Sequence, residues 1–278
     1  MIAVPSEAEQ TVVDIDVSRV REQAGAIERI VDGAIAGVIV RGVLAPNSAA
    51  ELVRRLEQEG SSLPTFRPPV FKGYVLGRPL VSASDGLGSY LDEAERFRAG
   101  CAAIVPDYPR LEQQIHDALA ALAGDCPVSL PQGDDGRSYL AATVRVLIDG
   151  DRLPLHYENE TLRSPVMATL RPHLDTSTLM SFYLPLATPR AGGVLRLFRT
   201  HCLDGGDSLI NKLGGEERAR PHFEQRGFSE VLPRIGDLLV FDGGRWYHDV
   251  TPVEGGRRWT LGGFLAMTRD HRAVHYWS

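Results

Sequence analysis

Apolar residues change their rhythm along the chain. Residues 37–43 (GVIVRGV) are a short β-branched run with the composition of a strand. Beyond Pro46, residues 49–60 repeat apolar side chains at helical spacing, with Asn47 or Ser48 to cap the helix and Gly60 to close it. Residues 62–85 hold several prolines and glycines and predict irregular structure. Two more helices are expected over 88–102 and 108–123, the second with Leu111, Ile115, Leu119 and Leu122 on one stripe. Residues 127–137 read as a loop. From residue 138 onward the pattern turns to short strands, at 140–148, 180–186, 193–198, 238–241 and 260–267, separated by Gly, Pro and Asp. A further strand is expected near residues 11–15. Short strands with turns between them predict a sandwich or barrel, mainly β with flanking helices. The expected organisation is one integrated unit: residues 1–137 as an N-terminal elaboration and lid, and 138–278 as a β core.

Composition narrows the function. With 278 residues and 43% hydrophobic side chains, the chain is long enough to bury a core without staples. Its net charge is −6, and Lys72 and Lys212 are the only lysines. Nucleic-acid binding needs clustered cations, so none is expected. The three cysteines have no CxxC spacing, and an odd count argues against a disulfide framework. A reducing cytoplasm is the expected setting. Residues 1–10 are polar and do not read as a signal peptide, and no apolar run is long enough to predict a membrane span.

Candidate chemistry centres on Arg171-Pro-His-Leu-Asp175. On an extended segment, His173 and Asp175 point to one side and can reach one metal ion. A second histidine from elsewhere would complete two His and one carboxylate, the set that leaves iron(II) open positions for oxygenase chemistry. The segment from Pro233 onward supplies one: Gly236-Asp237 precedes LLVF, then come Trp246-Tyr-His248-Asp-Val250, Pro252-Val253 and Gly256-Arg-Arg258-Trp-Thr260.

Over residues 171–266 this pattern resembles the 2-oxoglutarate/iron(II) oxygenase superfamily, and in particular its bacterial branch of small-molecule hydroxylases and halogenases. The resemblance implies a double-stranded β-helix core of the jelly-roll, cupin-like kind. It implies Fe(II), 2-oxoglutarate as co-substrate and O2, with His173, Asp175 and His248 as ligands. Arg258 stands ten positions beyond His248, where such enzymes keep the cation for the co-substrate's far carboxylate. Thr260 faces the same way as Arg258, whereas Arg257 faces the opposite side and reads as a surface residue. The related halogenases carry a small residue where the ligand carboxylate stands, so Asp175 implies hydroxylation of a small molecule, free or carrier-protein-bound.

Other residues are candidates for contacts. His156 and Asn159, in LPLHYEN, are expected to contact the substrate or co-substrate, or else His156 is a hydrogen-bonded structural histidine at the barrel rim. Tyr183, two residues from Ser181 on one strand, is expected at a co-substrate carboxylate or in the core. Arg196 is expected to pair with charge in the site or to face outward. His201 and His222 read as loop histidines. Residues 66–76, with Arg67, Lys72 and Tyr74, are the candidate lid. Two other classes remain open: a cupin-like metal hydrolase or isomerase without 2-oxoglutarate, and a non-catalytic β-sandwich binding module.

Overall fold

The computed structural model describes residues 11–202 and 208–278; the expectation for residues 1–10 lies outside them. The first elements are β1 (Val12–Asp16), α1 (Ala26–Val31), β2 (Gly37–Arg41) and α2 (Pro46–Glu59). Then come β3 (Thr65–Phe66), β4 (Tyr74–Leu76), α3 (Leu87–Ile104), α4 (Tyr108–Ala123) and β5 (Val128–Ser129). The core follows with β6 (Thr143–Leu147), β7 (Leu153–His156), β8 (Met180–Ala187), β9 (Ala191–Gly192) and β10 (Leu195–His201). Helices α5 (Leu209–Lys212) and α6 (Glu216–Arg226) precede β11 (Phe228–Val231), β12 (Leu238–Phe241) and β13 (Trp246–Val250). The chain ends with β14 (Val253–Glu254), β15 (Arg258–Met267) and β16 (Val274–Trp277).

Two sheets face each other. The larger runs β1-β2-β12-β8-β15-β6-β4-β3, with β16 joining β15; the smaller runs β11-β10-β13-β7. Four strands of the larger sheet and the four of the smaller make the double-stranded β-helix. N-terminal strands extend the larger sheet beyond it: β2 pairs with β12 and β4 with β6.

Alternation explains why the strands of the larger sheet are apolar on both faces. Val38, Val40, Leu238, Val240, Val144, Val146, Trp259 and Leu261 share one buried cluster with the helices. Their neighbours Ile39, Leu239, Phe241 and Leu147 join Leu153, Leu195, Leu197 and Val250 between the sheets. Behind the smaller sheet, Leu155, Tyr157, Phe198 and Tyr247 pack against Ala219 and Phe223 of α6. Helix α6 and strands β7, β11, β13 and β16 were not legible as elements in the sequence, whose apolar runs there are short or broken.

The helical layer hides one unfavourable charge. Glu112 on α4 has a buried carboxylate oxygen with no hydrogen-bond partner among the described residues, near Tyr108 and Cys101. Burial pushes its pKa up, against a smaller opposing pull from Arg98. A carboxyl raised in the fold favours the folded state when protonated, so its contribution is lost as pH climbs from the unfolded carboxylate value through the folded one. Glu112→Gln should therefore raise the melting temperature at pH 8 by about 2–4 °C, what roughly 1 kcal/mol gives in a chain of this size. At pH 4 the difference should shrink; thermal melts at both values check it.

Candidate metal centre and its cavity

Strand β7 and the turn after it carry two donors, and β13 carries the third. His156 ends β7 and lies directly opposite His248 in the antiparallel pairing. Their rings are 4.2 Å apart, centre to centre. Glu158 comes two residues later, its backbone N–H donating to the Gly243 carbonyl at 2.7 Å. A Cβ at Gly243 would come within 2.9 Å of the Glu158 Cγ and 2.7 Å of the Ser181 hydroxyl, so glycine is what leaves room for the carboxylate.

Each imidazole is fixed by its own strand. His156 Nδ1 lies 2.7 Å from the Pro154 carbonyl, and His248 Nδ1 lies 2.9 Å from the Trp246 carbonyl. A carbonyl only accepts, so both Nδ1 atoms carry the hydrogen and both Nε2 atoms are left as donors to a metal. Those Nε2 atoms stand 3.5 Å (His156) and 3.6 Å (His248) from Glu158 Oε1. All three ligand atoms lie within 4.8 Å of one another, and no other such group of His, Cys, Asp or Glu occurs among the described residues. Two imidazole nitrogens and one carboxylate oxygen on one side of a cavity are the donor set and count that suit Fe(II) with open positions.

Electrostatics fit the same use. Burial pushes Glu158 up, but hydrogen bonding and charge from His156 and His248 more than offset it and hold its pKa well below the usual range. Burial, helped by His156, holds His248 below its ordinary value. For His156 burial is opposed and exceeded by Glu158, and its pKa is raised. The Ser181 hydroxyl adds a donor to Glu158 Oε1 at 3.4 Å.

The triad opens into a cavity of about 300 Å³ between the sheets. Its far side holds Arg258, only 6% exposed, whose Nη1 reaches the Thr260 hydroxyl at 3.5 Å. The guanidinium carbon stands 5.1 Å from the centre of the Tyr183 ring. No carboxylate among the described residues pairs with Arg258, and burial lowers its pKa. The outer wall is apolar, with Phe66, Val70, Phe71 and Val81 at the mouth. Val70 and Val81 are 58% and 41% exposed, high for valines.

Residues 67–73 form this wall because Asp151 holds them. Its Oδ1 accepts the Lys72 N–H at 2.8 Å, and its Oδ2 accepts the N–H groups of Gly73 and Ile148, each at 2.9 Å. Asp151→Ala leaves these amides without an acceptor; limited proteolysis should then cut within 67–73 faster than in the parent chain, with the β core resistant. Arg67 stacks over Tyr74 and Lys72 is exposed, so this segment meets the cavity through its apolar residues.

The expected His173-Asp175 pair is not at this centre. Arg171–His173 is a 3-10 turn with Pro172 in its first turn, not an extended strand, so the period-two argument does not apply there. His173 is exposed, and Asp175 pairs with His271 at 2.7 Å and accepts the Ser177 N–H at 2.8 Å. The structure puts His156 and Glu158 beside His248 instead, so His156 stands among the donors and not at the rim. Asn159 is turned away: its amide donates to the Ser177 carbonyl at 2.9 Å and its Oδ1 accepts the Leu179 N–H at 2.7 Å, tying the chain to the start of β8. Arg196 faces outward, because Leu195 and Leu197 take the interior positions of β10. It forms a two-point pair with Asp249 at 2.8 and 2.6 Å and lies over the Phe228 ring. His201 packs against Trp246, and His222 sits on α6.

Glu158 lies outside the residues expected from the sequence, and so does Arg145, which also lines the cavity. Glu158 had a signal, the same one-residue spacing after a histidine that His173 and Asp175 show. Arg145 had another, a lone charge inside the apolar run LAATVRVLI.

Comparison with known proteins agrees with this architecture. The sequence pattern of the family described as carrier-protein-independent halogenase WelO5 matches residues 9–278. Among curated proteins none matches. An N-substituted L-amino acid dioxygenase from Burkholderia ambifaria AMMD is similar in structure at 15% identity and a TM-score of 0.57, over 91% of this chain and 90% of that one. Its complex with α-ketoglutarate gives 16% identity and 0.51 over 91% and 90%. The α-ketoglutarate-dependent epimerase SnoN from nogalamycin biosynthesis is 14% identical, with a TM-score of 0.51 over 90% of this chain and 86% of that one. At such identities the likeness is one of fold. No helix among the described residues is long and apolar enough to cross a membrane.

Proposed function

The chain belongs to the carrier-protein-independent halogenase WelO5 family, within the 2-oxoglutarate/Fe(II) oxygenases, and from that footing we propose that it hydroxylates an aliphatic C–H bond of a small, largely apolar molecule. Its cofactors are Fe(II) and 2-oxoglutarate, with O2 as oxidant. His156, Glu158 and His248 hold the metal. Arg258, with Thr260 and Tyr183, holds the distal carboxylate of the co-substrate: a buried guanidinium lacking a protein carboxylate is costly, and a ligand carboxylate satisfies it by a two-point contact. When bound, iron with 2-oxoglutarate and O2 supplies the oxidising power, and succinate and CO2 leave.

The observation that carries hydroxylation is Glu158. Halogenases of this resemblance keep a small residue at that position, which leaves room for a halide; here a carboxylate fills it. Halogenation is the second reading, favoured by the family description. That description also favours a free substrate over a carrier-bound one. The apolar mouth supports a substrate with a hydrophobic body.

The test is a screen for substrate-stimulated succinate release over free amino acids, carrier-bound acids, nucleotides and apolar ring compounds, with Fe(II) and 2-oxoglutarate supplied. A product heavier by one oxygen atom is expected, in buffers with and without chloride. A chlorinated product from the unaltered chain would overturn hydroxylation. Metal-dependent turnover that needs no 2-oxoglutarate would overturn the whole assignment.

A further inference from the structure

The cavity holds a second arginine that forms no ion pair among the described residues. Strand β6 is apolar except at Thr143 and Arg145, whose side chains face the interior while Val144 and Val146 face the helices. Arg145 lines the cavity, and it forms no hydrogen bond or ion pair with any described residue. Its pairing partner across the ladder is Thr260, and Arg258 pairs with Leu147, so both arginines present to one face of adjacent strands. Diagonal neighbours of this kind are about 7–8 Å apart, near enough for two long side chains to grip one short molecule. Arg145 is half-buried and Arg258 buried; two guanidinium groups on one face of a cavity repel each other, and no carboxylate among the described residues forms an ion pair with either.

We propose that Arg145 is the second cation of the 2-oxo acid site, gripping the carboxylate at the metal end while Arg258 grips the distal one. This rests on the functional reading above and deepens it. A dicarboxylate matches two guanidinium groups in charge and in number. The two ends are told apart by surroundings. Burial depresses both arginines, but Arg145 also feels Glu158 of the triad, whereas the partner felt by Arg258 is Tyr183. Both arginines line the cavity that the triad opens into; Arg258 stands beside the Tyr183 ring, and Arg145 is the one that the Glu158 charge acts on. As a positioning residue, Arg145 fixes the direction in which the co-substrate lies across the cavity and balances the negative charge gathered around the triad.

The experiment is equilibrium titration of the full Fe(II)-loaded chain under nitrogen, by calorimetry, with two probes. One is 2-oxoglutarate; the other is 2-oxopentanoate, which keeps the keto acid and has a methyl group in place of the distal carboxylate. Arg258→Met should weaken 2-oxoglutarate about tenfold or more, the value of a charge-assisted contact, and leave 2-oxopentanoate within about twofold. Arg145→Met should weaken both acids about tenfold, and Arg145→Lys, which keeps the charge, should recover part of the loss. Iron content and thermal melting of each variant establish that the centre is intact; if Arg145→Met fails these checks, Arg145→Lys against the parent decides by the same criterion, with binding of both acids weakened at least about threefold. Unchanged binding of both acids overturns the proposal, even with impaired product formation, which would mark Arg145 as a substrate contact. An effect on 2-oxoglutarate alone overturns the assignment of ends. If the parent chain binds neither acid, the functional reading itself falls, and this inference with it.

Discussion

His156→Ala, and separately His248→Ala, should leave the purified chain with almost no bound iron, while His173→Ala and Asp175→Ala should retain the full complement. The contrast comes from position. His156 and His248 present Nε2 to a common point, with the opposite nitrogen already held by a backbone carbonyl. Loss of a residue that only orients a metal ligand costs about 10–100-fold in affinity, so loss of a ligand costs at least that. His173 is exposed, and Asp175 is engaged with His271 and Ser177. Iron per chain, measured after anaerobic loading and desalting, checks all four variants. Full iron in His156→Ala, or none in Asp175→Ala, would sink the assignment of the centre.

Glu158→Gly should cut formation of hydroxylated product at least about 100-fold, the upper end of what even a supporting residue is worth at a metal site. The two histidines still offer an anchor, with weaker iron retention. Removing the carboxylate also removes the negative charge that acts on Arg145, so with a metal bound the vacated place becomes strongly attractive to an anion. In chloride buffer, such product as does form should carry chlorine. Mass spectrometry of the product, with and without chloride, reads both outcomes. Wild-type hydroxylation in Glu158→Gly would exclude Glu158 as a ligand and return the question to the family description.

Much of the fold was legible because its strands are short, apolar and punctuated by turns. Strands expected at 140–148, 180–186, 238–241 and 260–267 appear as β6, β8, β12 and β15 within a few residues. Helices expected at 88–102 and 108–123 appear as α3 and α4. At the site, His248 was legible through the Arg258-Trp-Thr260 segment downstream of it. Its partners were misread for a definable reason. A histidine and a carboxylate two apart share a side only where the backbone is extended, and two segments met the spacing. Which one is extended depends on pairing: residues 153–156 gain a ladder with β13, whereas 158–163, 165–167 and 171–173 fold into successive 3-10 turns. That partnership is a long-range fact that no window of sequence contains. Arg196 failed by the other route, since alternation gave its plane but not which face of β10 is inside.

The pairing of β7 with β13 also bears on how the protein holds itself together. Strand β7 is the border of the smaller sheet, with neighbours on one side only. Such a border frays more readily than the strands within. A metal bound by His156 and His248 joins two adjacent strands across that border, and through Glu158 it secures the turn beyond. Loading the enzyme is thus also a way of stitching one hem of the sheet. Amide hydrogens of residues 153–156 should exchange slowly in the iron-loaded protein and much faster once a chelator has removed the metal, while the interior strands β8 and β15 hardly register the difference.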